Sequence, residues 1–177
     1  MKWILVVTLI VNINMNNEFK IDFGTNEIQE GWRIVNDGVM GGLSRGRINY
    51  EESSMKFYGT LSLENNGGFS WAQYGLQNTL DGDGNYFKLR IKTDEHSYFF
   101  TARVANDRGC HYESEPICTN GEWQEMTIAT ASMFKTWRGR TFDEVLDMST
   151  DLLEIGLILK DKKEGPFSAE VDWVLIK

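Results

Sequence analysis

The amino-acid sequence predicts an all-β protein, a sandwich or jelly roll of two antiparallel sheets with at most one or two short helices. Strand-favouring aromatics are abundant, with six Trp, six Tyr and ten Phe beside 17 Gly and only two Pro in 177 residues. Short alternating segments recur along the chain, separated by glycine- and asparagine-bearing turns. Only Phe142–Ser149 reads as a short helix.

The elements follow in order. Phe19–Phe23 (FKIDF) alternates as a strand after a polar, Asn-rich stretch. Arg47–Leu63 places Ile48 and Tyr50, then Met55, Phe57, Leu61 and Leu63, at strand spacing, and Gly59 inside it marks a bulge or a close backbone approach. Phe69–Tyr74 is another short strand, and Leu80–Asn85 (LDGDGN) is a turn with two Asp-Gly steps. The clearest alternation follows, with Phe87, Leu89 and Ile91 facing one way and Lys88, Arg90 and Lys92 the other. Tyr98–Val104 is its antiparallel partner, and Trp123–Ile128 alternates again before an irregular Met133–Phe142. Leu153–Leu159 and Phe167–Ile176 close the chain around the charged turn DKKEGP. That makes about nine strands in one domain over residues 18–177. Trp123 and Trp173, on alternating segments, are expected in the core.

Charge narrows the partners. Twenty-six acidic against 18 basic residues leave a formal charge of -8, and the pI is about 4.8. No Lys or Arg cluster offers the basic face that nucleic acid or an anionic bilayer requires. At the N-terminus, Lys2 followed by the apolar run Trp3–Val11 has the length of a signal-peptide core and is too short to span a bilayer. Asn12–Asn17 lacks the usual small-residue cleavage site, so an unprocessed end stays open, with an exported location favoured over a cytoplasmic one. Cys110 and Cys118 would close a disulfide in an oxidising compartment and stay free thiols in the cytosol.

The motifs speak against catalysis and cofactors. Asp37, Glu64 and Asp172 could in principle serve as acid and base, but nothing places them at the required separation, and the glycine turns beside Asp37 and Glu64 suit carboxylates that accept backbone hydrogen bonds. His96 and His111 have no nucleophile in a strand-to-helix elbow. VMGG and NNGG are not phosphate loops, and DGDGN lacks the frame of a calcium loop. No metal or cofactor is expected, and the chain is read as a non-enzyme.

Two glycine-rich stretches carry the functional signal: WRIVNDGVMGGLS at 32–44 and LENNGGFSW at 63–71. Gly38, Gly41, Gly42, Gly67 and Gly68 allow left-handed backbone or close approach, and Asp37 can accept bonds from amides further along. Trp32, Trp71, Tyr74 and Trp137 are candidate aromatic platforms. Arg138 and Arg140, in TWRGRT, are candidate polar arms toward a carboxylate. The binding surface is expected to comprise Trp32, Asp37, Met40, Glu64, Asn65, Trp71, Trp137, Arg138 and Arg140, with Gly165 and Pro166 as structural positions. A protein partner is the first expectation, and a carbohydrate held by the loop aromatics is the alternative.

These same residues carry a family likeness. WRIVNDGVMGGLS, then FYGTLSLENNGGFSW, FKTWRGRTFDE and IGLILKDKKEGPFSAEVDWVLI, resemble the complex I intermediate-associated protein 30 family over nearly all of Phe19–Lys177. The resemblance implies a galactose-binding-like jelly roll and, for mitochondrial members, a role in assembling the respiratory NADH dehydrogenase. It implies no catalytic set. An Arg- and Ser-rich mitochondrial transit peptide is not expected from the residues at this N-terminus.

Overall fold

Alternation sorts the side chains into a core between two sheets. The computed structural model describes residues 18–23, 31–51, 53–80, 85–107 and 109–177. Its strands are β1 (Phe19–Asp22), β2 (Trp32–Asn36), β3 (Arg45–Glu51), β4 (Ser54–Leu61), β5 (Ser70–Leu80), β6 (Tyr86–Thr93), β7 (Tyr98–Val104), β8 (His111–Glu113), β9 (Gln124–Ala129), β10 (Phe134–Trp137), β11 (Arg140–Val145), β12 (Leu152–Leu159) and β13 (Gly165–Ile176). All pairings are antiparallel. A six-stranded sheet runs β3-β4-β13-β6-β9, with β1 also on β13, and a seven-stranded sheet runs β11-β10-β8-β7-β12-β5-β2. The described helical pieces are three short 3-10 turns, and no helix among the described residues is long and apolar enough to cross a membrane.

The two inner faces interdigitate through aromatic rings. Phe57 and Phe167 of the first sheet lie 5.0 Å apart, Phe57 meets Tyr98 of the second at 6.3 Å, and Phe87 meets Phe100 at 4.9 Å. Each ring withdrawn from water contributes on the order of 2 kcal/mol or more. Phe87, Leu89 and Ile91 are buried as the alternation predicts, with Lys88, Arg90 and Lys92 on the outer face. Gly59 is the expected close approach: a Cβ there would sit 2.0 Å from the Arg45 carbonyl oxygen. Across the pair, a Cβ on Gly46 would meet Ser70 Oγ at 1.9 Å, so Gly59 lets β3 lie close over β4 and Gly46 lets β3 press against β5.

Several expectations are corrected. Phe142–Ser149 is not helical: Arg140–Val145 is an edge strand with every residue exposed, paired to β10 through a tight turn at Arg138 and Gly139. Both turn residues have positive φ, 48° and 76°, as a two-residue hairpin loop demands. The segment read as irregular therefore holds a hairpin. Trp123 and Trp173 are half-buried on the outer face of the six-stranded sheet instead of in the core. Cations cover them, Arg90 and Lys92 over Trp123 and Lys20 over Trp173. The N-terminal reading and most of the LDGDGN turn lie outside the described residues.

Cys110 and Cys118 are both free. The reason is register: Tyr112 pairs with Ala102 and Ile117 bridges to Tyr98, so the connection runs alongside β7 instead of doubling back. Those contacts are roughly 13 Å apart at about 3.3 Å per residue, and each cysteine lies beyond its own end. A disulfide needs Cα atoms within about 7 Å. Intact masses measured with and without reductant should therefore agree, and a two-dalton deficit in the non-reduced protein would contradict this register.

Candidate functional site

The two glycine-rich loops are tied together by one buried carboxylate. Asp37, only 1% exposed, accepts hydrogen bonds from Ser44 N at 2.9 Å, Ser44 Oγ at 2.5 Å, Gly68 N at 2.6 Å and Phe69 N at 3.3 Å. Burial alone would raise its pKa, but these bonds outweigh it and hold the carboxyl below its ordinary value. Its neighbour Asn36 makes a second tie, with Oδ1 accepting from Gly46 N at 2.9 Å and Ser70 Oγ at 2.7 Å.

The glycines leave space for this clasp. A Cβ on Gly42 would lie 2.3 Å from Asp37 Cγ, and one on Gly67 would lie 2.6 Å from Asp37 Oδ2. Gly41 and Gly68 take φ of 91° and 115°, conformations that L side chains avoid. Asn65 and Asn66 also adopt positive φ, and Asn65 Nδ2 donates to Gly41 O at 3.2 Å, closing one loop on the other.

On this base the apolar side chains point outward. Val39 is 76% and Met40 73% exposed, with Leu43 and Leu63 also in solvent. Glu64 and Asn65 are exposed beside them. Val39 and Met40 stood out in the sequence as apolar residues inside a glycine loop, where no core position awaits them, and Leu43 and Leu63 join them at this apex.

The other expected site residues divide. Trp32 is not a platform: it faces the core, against Tyr74 at 5.4 Å and Phe23 at 5.8 Å. Trp137, Arg138 and Arg140 do not join the apex either. Asn36 pairs with Ser70, Ser70 with Leu159 and Leu159 with Tyr98, which puts the Asp37 loop at one end of the strands. Thr136 pairs with His111, and the register through Arg103, Glu154 and Gly75 carries the Trp137 turn toward the Trp32 end. β10 and β2 are also five strand spacings apart, about 24 Å at roughly 4.8 Å each. The two motifs occupy diagonally opposite corners of one sheet, so the single recognition surface expected from them is divided. Gly165, with φ of 133°, and Pro166 sit at the start of β13 against β4.

Trp71 belongs to neither corner. It lies on the outer face of the seven-stranded sheet, where its indole crosses β12 over Gly156 to donate to Thr101 Oγ1 on β7 at 3.0 Å. A Cβ on Gly156 would come within 2.8 Å of both atoms of that bond. The ring also meets His111 of β8 at 4.5 Å between centroids. Among the described residues no group of three His, Cys, Asp or Glu could hold a metal ion.

The fold defines a class first: a galactose-binding-like β-sandwich of the jelly-roll kind. A family 11 carbohydrate-binding module from a cellulosomal cellulase of Clostridium thermocellum superposes with a TM-score of 0.65 at 18% identity, covering 90% of this chain and 94% of that one. An agarase matches with a TM-score of 0.62 at 12% identity, covering 90% of this chain and 24% of that one. At these identities the likeness concerns the fold alone. The family is given by sequence: the model of complex I intermediate-associated protein 30 matches residues 21–171, and the chain belongs to that family. The mitochondrial complex I intermediate-associated protein 30 of Mus musculus is 25% identical over 190 residues, covering 86% of this chain and 53% of that protein. Its counterpart in Neurospora crassa is 27% identical over 139 residues, covering 68% and 50%. The chain thus spans about half the length of the curated relatives it matches.

Two expectations arise from the clasp. The folded pKa of Asp37 is depressed, so its contribution to stability is present above the unfolded value near 4 and lost as pH falls through the folded one. Asp37→Asn should cost about 3 kcal/mol at pH 7, and the gap from wild type should shrink in urea titrations below about pH 4. In thermal unfolding, Gly42→Ala should cost roughly 1–3 kcal/mol by overpacking the carboxylate, and Gly41→Ala about 1 kcal/mol through its positive φ. Wild-type stability in both would rule out the clasp geometry.

Proposed function

We propose that this chain is a non-catalytic docking module that binds a protein partner through the clasped glycine-loop apex. One observation carries the reading: Val39, Met40, Leu43 and Leu63 stand in solvent on loops whose backbone a buried carboxylate holds in place. Exposed apolar anchors on a pre-ordered base suit a partner surface, because little ordering entropy remains to be lost on binding. The carboxylates support a non-catalytic role. Asp37 is committed to four hydrogen bonds, and Asp172 is paired with Arg90.

Family membership supports the kind of partner. The curated relatives are named for association with an intermediate of complex I, and an assembling respiratory NADH dehydrogenase is the partner proposed here. An affinity-tagged chain, expressed in its host, should recover subunits of that enzyme by mass spectrometry. The Val39→Asp/Met40→Asp double variant should keep its thermal stability and lose at least ten-fold of the recovery. Undiminished recovery by the variant, or no such subunit with wild type, would refute the reading.

Saccharide binding is the second reading. Its specific support is Trp71, spread across an outer sheet face instead of packed in the core, on a fold shared with carbohydrate-binding modules. The loop aromatics first expected to hold a sugar do not converge.

A further inference from the structure

The face around Trp71 is more heavily built than an outer sheet face needs to be. Gln73, Thr101, Glu113, Thr136 and Glu154 point away from the core, yet all are buried. Outward positions on an antiparallel sheet are ordinarily solvated. Two carboxylates there are each flanked by nitrogen groups. Glu154 receives Arg33 Nη2 at 2.5 Å while Arg33 Nε donates to Gln73 Oε1 at 2.9 Å. Glu113 receives Lys160 Nζ at 2.5 Å and lies 2.7 Å from His111 Nε2. Burial would raise the Glu113 carboxyl, but these two bonds hold it low, so it stays charged.

Arg103 breaks the pattern. Its guanidinium stacks over Trp71, 5.6 Å from the ring centroid, and its nearest carboxylate oxygen, on Glu154, is 3.7 Å away. That separation is an ion pair without a hydrogen bond. Its Nε is buried with no acceptor among the described residues. Thr136, 2% exposed and paired in register with His111, also has an unpartnered hydroxyl. The permanent charges are Arg33, Arg103 and Lys160 against Glu154 and Glu113, three minus two, so the face keeps one positive charge. The chain as a whole carries -8.

We infer that this face is a binding site for a saccharide bearing a carboxylate, such as a uronic acid; the inference rests on the second reading above and sharpens it. The sugar ring packs against Trp71 beside the Arg103 guanidinium that lies over the indole, and its carboxylate accepts from that guanidinium, which has donors to spare in a fork suited to two carboxylate oxygens. A neutral sugar would cover the indole and leave that guanidinium unanswered. A bare carboxylate would engage Arg103 without gaining the ring contact. Glu113 and Glu154, already neutralised by their own cations, do not oppose the ligand.

The test is calorimetric titration of the full chain with trimers of galacturonate and of glucuronate, with their methyl esters, and with acetate. Each ester keeps the rings and removes the charge. A free acid should bind at least ten-fold more tightly than its ester, with affinity falling as salt rises, and acetate should bind far more weakly than either. Arg103→Gln should equalise acid and ester while Trp71→Phe weakens both; thermal unfolding confirms that each variant is folded. Equal affinities of acid and ester for wild type would overturn the inference and leave the saccharide reading intact. No binding of any trimer would overturn both.

Discussion

A single buried carboxylate organises the end of this sandwich. Asp37 receives donors from Ser44, seven residues on, and from Gly68, thirty-one residues on. An uncompensated charge at that depth would cost several kcal/mol, so the bonds are required as a set and the two loops must close around it together. Gly42 and Gly67 are absent side chains in the literal sense: any Cβ there would occupy the space of the carboxylate. A backbone fixed from beneath in this way can hold Val39 and Met40 in water without collapsing over them.

The sheet supplies the second constraint. Antiparallel register assigns each residue to a face and to a row, and one-residue differences decide opposite fates. Trp32 and Trp71 are both tryptophans beside glycine loops, on paired strands. Trp32 pairs with Tyr74 and turns inward, whereas Trp71 pairs with Val35 and turns outward. Gly156 then decides what Trp71 can do, since only a missing Cβ on β12 lets the indole cross to Thr101. The apex is thus made of loops and the Trp71 face of strands, and the two are built independently on one scaffold.

Legibility followed the strength of the periodic signal. β6 was plain because one face is apolar and the other charged, and β7, β12 and β13 because each is a long run rich in apolar residues. β2, β8, β10 and β11 were missed because they are short and offer little alternation. β11 is exposed along its whole length, and β8 has only three residues. The carboxylate-binding role of the glycine turns was visible at Asp37 from its neighbours alone. Nothing in the sequence pointed to Gln73, Thr101, Arg103 or Glu154, which are ordinary strand residues until register sets them around one indole.

Sequence alone determined the all-β class, the family, and the presence of two loops shaped by glycine around Asp37. Those features depend on local backbone chemistry and on alternation, which a linear chain displays directly. Tertiary structure decided that the TWRGRT hairpin lies diagonally across from those loops, that Cys110 and Cys118 stay apart, and that Trp71 joins Arg103 and His111. Such relations arise from strand order, and strand order is set by how two sheets share one core instead of by any residue's neighbours in the chain.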